Sequence, residues 1–125
     1  MNRADFNAYC RSLPATTHVV QWGDADVWKV GGKVFAIAGW DDGDATAITF
    51  KTSPTDYDFL VRMPGVRPAP YLGSRGFTWV QHFARPGLDD DELREHIEDS
   101  HRTIVEALPS KLRAELGLTD DPPAP

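Results

Sequence analysis

Val27-Trp28-Lys29-Val30-Gly31-Gly32-Lys33-Val34-Phe35-Ala36-Ile37-Ala38-Gly39-Trp40 is the stretch that decides the fold. Two runs rich in β-branched and aromatic residues flank a glycine pair, and paired glycines reach the positive φ that a tight hairpin demands. Residues 27–30 and 33–40 therefore read as two antiparallel strands. Upstream, residues 18–22 form another such run, separated from it by the turn residues Gly23-Asp24-Ala25-Asp26. Downstream, Asp41-Asp42-Gly43-Asp44 places the favoured turn pair Asp42-Gly43 before residues 45–50. Four strands in a meander is the simplest reading.

The flanks supply helices. Phe6, Cys10 and Leu13 recur at helical spacing beside Tyr9 until Pro14 stops them. After the meander, Ser53 or Thr55 caps a short helix carrying Tyr57, Leu60 and Val61, with Pro54 in its first turn and Pro64-Gly65 closing it. Residues 66–76 hold Pro68, Pro70, Gly73 and Gly76, and alternate prolines belong to an ordered loop or an edge strand. Residues 77–83 alternate as a strand, with Phe77, Trp79 and Phe83 on one face and Thr78, Val80 and His82 on the other. A last helix opens on Asp89-Asp90-Asp91-Glu92 and draws Leu93, Ile97, Ile104 and Leu108 into one stripe before Pro109. Helix, strands, helix, strand, helix is neither alternating βαβ nor all-β. The expectation is an α+β fold of two layers, an antiparallel sheet of about five strands with helices packed on one face.

The chain has 125 residues, 41% of them hydrophobic, enough for one cored domain. Residues 1–118 are read as that domain and 119–125 as a disordered acidic, proline-rich tail. A single cysteine forms no internal disulfide, and neither a signal peptide nor an apolar run of membrane-spanning length is visible, so a cytoplasmic protein is expected. The net charge of −6 weakens nonspecific attraction to nucleic acid and to anionic lipid.

Motifs for chemistry are sparse. His96 and His101 lie about 140° apart on a helix, which prevents a shared ligand face. His101 falls inside the apolar stripe and is expected to be packed and hydrogen-bonded, His82 is expected to face solvent, and Cys10 is read as an inert core residue. Capping and turn chemistry accounts for the aspartate clusters, and no segment has a calcium-loop, phosphate-loop or nucleophile-elbow pattern. No cofactor and no metal are expected.

One feature of charge stands apart. Residues 59–88 contain no Asp or Glu but include Arg62, Arg67, Arg75 and Arg85. Gathered together, these would make an anion-binding surface, with Tyr71, Phe77 and Trp79 as stacking faces and Lys33 and Lys51 adding charge. The alternative is an arginine-bearing loop balanced by the acidic last helix.

Trp22-Gly23, Gly31-Gly32-Lys33-Val34-Phe35-Ala36, Phe50-Lys51, Pro64-Gly65, Pro68-Ala69-Pro70-Tyr71-Leu72-Gly73, Gly76-Phe77, Ser100 and Leu108-Pro109-Ser110-Lys111 occur in the order that resembles the MmcQ/YjbR family. The resemblance spans about residues 5–113. It implies a fold similar to secretion chaperones with a core of helix, three strands, helix, two strands, helix, which makes one meander strand an extension. Members are labelled DNA-binding by architectural analogy, so the nucleic-acid role implied here rests on fold alone. This chain departs from the family in carrying His101 after the serine and Phe77 after the glycine. The expectation is a non-enzymatic binding protein, monomer or weak dimer, that meets nucleic acid or a small anionic ligand through Arg67, Tyr71, Arg75, Lys33, Lys51 and Trp22. The alternatives are a small-molecule- or peptide-binding, chaperone-like protein with a pocket near Tyr71, and an enzyme of unrecognised type.

Overall fold

A computed structural model describes residues 1–41, 45–70 and 78–118. Helix α1 (Arg3–Ser12) starts where the Asn2 side chain accepts the Asp5 amide, and it turns Phe6 and Cys10 inward. The meander follows as β1 (Thr16–Gln21), β2 (Ala25–Val30), β3 (Lys33–Ala38) and β4 (Ile48–Lys51), each antiparallel to the next. Gly31 and Gly32 both take positive φ, and a Cβ on Gly31 would also collide with the Leu108 side chain. The hairpin thus needs glycine twice over, for its turn and for the close approach of Leu108. The Asp42-Gly43 turn lies outside the described residues.

Helix α2 (Pro54–Leu60) takes Ser53 as its cap, the hydroxyl accepting the Asp56 amide at 3.1 Å, with Pro54 at a position that needs no amide hydrogen. Next come β5 (Val66–Pro68) and β6 (Trp79–His82), then α3 (Asp90–Ala107), which begins with a full capping box between Asp89 and Glu92. A short α4 (Ser110–Glu115), absent from the sequence reading, starts after Pro109. Strand β6 inserts between β4 and β5, giving the order β1-β2-β3-β4-β6-β5. The sheet has six strands, one more than expected, because residues 66–68 pair as an edge strand.

Helices cover one face. Helix α1 lies on β1 and β3, α2 on β6, and α3 on β2, β3 and β4. Phe6, Cys10, Trp28, Phe50, Ile48, Leu60, Val80, Leu93 and Ile97 form the main core between the layers. A bulge between Trp28 and Lys29 lets Phe35 and Ala36 both turn to this core. Ser100, fully buried on α3, ties the layers together by donating to the Phe35 carbonyl at 2.7 Å and accepting the Lys51 amide at 3.0 Å. His101 is packed as expected, its Nε2 2.9 Å from the Pro14 carbonyl oxygen and its ring edge-on to Phe35. Cys10 is buried, and burial pushes its thiol well above the ordinary range.

His82 corrects the sequence reading. It is 5% exposed, not solvent-facing, because β6 is an interior strand whose even positions, Val80 and His82, point under the helices. Trp79, a stacking face only if the arginines gathered, is a 6% exposed member of a second, smaller apolar cluster with Ala25, Val27, Ile37 and Ala69. That cluster occupies the outer face of the sheet. No helix among the described residues is long and apolar enough to cross a membrane.

Candidate functional site

The strand registers line up one row of directly opposed residues across all six strands of the outer face. From β1 to β5 it runs Val19, Val27, Ile37, Thr49, Gln81, Arg67. Its first half is apolar and its second half polar. The Arg67 Nε donates to the Gln81 Oε1 at 2.8 Å, which fixes the amide orientation, and the guanidinium lies 4.3 Å from the centroid of the Phe83 ring. With its carbonyl thus engaged, Gln81 directs Nε2 elsewhere. Gln81 Nε2 and Thr49 Oγ1 are both buried, and neither has a hydrogen-bond partner among the described residues. Neighbours across β4 and β6 in this way, they form a donor and a donor-acceptor held side by side in a low-dielectric setting. Each unmade bond costs about 1 to 3 kcal/mol.

Lys51 borders the same patch. It pairs with Trp79, on the same face as Thr49 and Gln81, and its Nζ stands 5.9 Å from the Trp79 ring centroid. Lys51 and Arg67 are two strands and two residues apart, about 12 Å between backbones from standard sheet spacings. Two cations thus flank two unsatisfied polar groups, with an indole between.

Of the residues singled out from sequence, Lys51 and Arg67 are brought to one face. Lys33 is exposed beside the β2–β3 turn. Trp22 lies at the opposite end of β2, against Trp40, whose Nε1 donates to its carbonyl at 2.8 Å. Tyr71, Arg75 and Phe77 lie outside the described residues. The arginines do not form one group: Arg62 is exposed just after α2, and Arg85 lines a cleft on the other side of the molecule from Arg67. Thr49 and Gln81 were missed because an isolated threonine or glutamine in a strand carries no motif. Only the pairing of β4, β6 and β5 brings them together.

That cleft, about 880 Å³, is bordered by Asp5, His82, Arg85, Asp89, Asp90 and Asp91. Of these carboxylates, the three at the start of α3 already have work in the fold. Asp89 caps α3, Asp90 holds the terminal amine, and Asp91 lies 2.9 Å from Arg94. A smaller hollow of about 250 Å³ beside Lys51, Asp56, His96 and Asp99 likewise has its Arg102 paired with Asp99, and His96 stacked on Phe50. The outer face differs from both in setting two buried polar atoms without a hydrogen-bond partner among the described residues on directly opposed positions, Thr49 on β4 and Gln81 on β6.

Known proteins match this architecture. A Deinococcus radiodurans protein, DR2400, with a DUF419 domain has a TM-score of 0.82 at 20% identity, over 98% of this chain and 92% of that one. A Pseudomonas syringae protein has a TM-score of 0.67 at 24% identity, over 82% of this chain and 98% of that one. At such identities these likenesses speak to fold. No curated protein matches the sequence. The family model described as YjbR matches residues 11–103, from the end of α1 through most of α3, and the chain therefore belongs to the YjbR family.

Proposed function

We propose that this chain is a non-enzymatic binding domain whose outer sheet face takes a small ligand bearing a carboxylate or phosphate. The observation that carries the reading is the pair of buried groups without a hydrogen-bond partner among the described residues, Gln81 Nε2 and Thr49 Oγ1, set between Lys51 and Arg67. Native interiors rarely leave adjacent polar groups unmatched, and a ligand that completes them recovers their desolvation cost as affinity. An anion between the two cations would take donors from Gln81 and Thr49 and a favourable field from both flanks. Both groups are shielded, so entry requires the face to open. Arg67, half-exposed and directly opposite Gln81, is the described cation nearest the way in.

Nucleic acid, the role that the family resemblance implies, is less well supported. Duplex binding draws on many cations along one surface, whereas Arg62, Arg67 and Arg85 lie in separate places on a chain of net charge −6. Stacking of bases needs exposed rings, and Trp79 is buried.

Calorimetry and thermal shift with inorganic phosphate, adenosine monophosphate and a short single-stranded oligonucleotide test the reading. The expected result is binding of a small anion, weakened about tenfold, or roughly 1.4 kcal/mol, in Thr49→Val. Tighter binding of the oligonucleotide with a steep salt dependence, or no response to any of the three probes, would overturn it.

A further inference from the structure

The two edges of the sheet are finished differently. Strand β5 is three residues long and ends at Pro68, which has no amide hydrogen to offer a neighbour. Strand β1 is six residues long, bonded among the described residues to β2 on one side only, and exposed from Thr17 through Val20. Val19, Val20 and Trp22 supply three of the five exposed large apolar side chains among the described residues, at 37%, 55% and 45% exposure. The edge therefore carries open backbone groups and unburied apolar surface in one place. Such an edge is a template for another strand unless charge, proline or a bulge blunts it, and β1 has none of these among its own residues.

We propose that β1 pairs antiparallel with β1 of a second copy of this chain, joining two sheets of six strands into one continuous sheet. Charge argues for a copy as the occupant. Residues 12–23 are the longest run in the chain without a formal charge, counting His18 as neutral. Two copies of net charge −6 repel least where they meet on uncharged surface. A two-fold contact also sets the central residue against itself, so a charge there would face its own kind.

Side-chain alternation fixes the register. Opposed residues in an antiparallel pair share a face, so the two-fold axis must pass through a residue rather than between two. Centring on His18 would set that ring against its mate and Thr17 against Val19. On the outer face, centring on Val19 sets valine against valine and Thr17 against Gln21, matching apolar with apolar and polar with polar, while His18 meets Val20 on the face toward the helices. It also prolongs the outer apolar row, so that Ile37, Val27 and Val19 of one copy meet Val19, Val27 and Ile37 of the other. The helices of both copies then lie on the same side.

Oxidative cross-linking tests both pairing and register. Across such an axis the two residue-19 Cα atoms lie about 4.5 to 5.5 Å apart, within disulfide range, whereas residue 20 faces residue 18 of the other copy. Cys10 is buried and leaves the added thiol as the reactive one. Val19→Cys is expected to cross-link to a covalent dimer under mild oxidant while Val20→Cys stays largely uncoupled. In sedimentation equilibrium the wild type is expected to show a concentration-dependent dimer, and Val19→Lys a monomer with unchanged circular dichroism. A wild type that stays monomeric at its highest soluble concentration, including one whose β1 edge pairs only with an added peptide strand, would overturn the proposal. So would cross-linking through residue 20 in preference to residue 19.

Discussion

The Ser100 hydroxyl makes two buried bonds at once, donating to Phe35 on β3 and accepting the β4 amide of Lys51. Ser100→Ala should therefore leave two backbone groups unmatched, and a loss of about 2 to 3 kcal/mol is expected in urea denaturation. A loss no larger than that of an ordinary surface substitution would mean that the bridge contributes little. Gly65 has φ +89, and a Cβ there would run into the Ala84 carbonyl, while the Gly65 carbonyl itself accepts the Phe83 and Ala84 amides. Gly65→Ala is expected to cost at least about 2 kcal/mol in the same measurement, through strain and collision together. The family resemblance put Ser100 and Gly65 in the sequence without giving their roles. Those roles involve partners 65 and 19 positions away, which spacing along the chain does not reveal.

At the scale of elements, α1 is joined to the β1–β2 hairpin by a small polar cluster. Asp26 lies 2.7 Å from His18 Nε2 and 3.0 Å from Arg3 Nε, beside Trp28, which donates to Asn7 at 2.9 Å. Burial acts to raise the Asp26 carboxyl, but hydrogen bonds from His18 and Asn7 and the Arg3 charge outweigh it and hold the group below its ordinary range. A carboxyl lowered by folding stabilises the protein fully above its unfolded value of about 3.9, and that contribution is lost as pH falls through the folded value. Asp26→Asn is expected to cost about 1 to 2 kcal/mol at neutral pH and to flatten the acid limb of a stability–pH profile below about pH 4. An unchanged acid limb would show that Asp26 carries none of it. Elements with a strong period were legible: the four-strand meander, the capped α2 and the stripe of α3 all came from local pattern. Strand β6 was legible as a strand, but its alternation did not say that its side chains are buried on both faces, so His82 was misplaced. Helix α4 has no buried residue, and hence no apolar stripe to announce it.

On the scale of the whole molecule, the row of opposed residues across the outer face grades from apolar at β1 to polar at β5, and each half bears on a separate expectation. The apolar half ends at the open edge proposed to pair with a second copy. The polar half contains the unsatisfied pair proposed to meet a ligand. The four-arginine segment that sequence brought forward contributes one described cation to this face, Arg67, because the fold sends Arg62 and Arg85 elsewhere. Charge along a chain does not report direction in space. Lys51→Met, on the same face, is expected to leave the melting temperature within about 2 °C while weakening binding of phosphate, since a partly exposed lysine contributes little to folding. A large fall in melting temperature would make Lys51 structural instead. The central claim is that Thr49 and Gln81 are held unsatisfied at a cost to stability, and the melting temperature of Thr49→Val without ligand measures it directly. Replacing an unmatched buried hydroxyl by a methyl of similar shape should raise stability by about 1 kcal/mol, or about 3 to 5 °C. A fall of that size would mean that the hydroxyl is already satisfied within the fold and that the face has no vacancy for a ligand to fill.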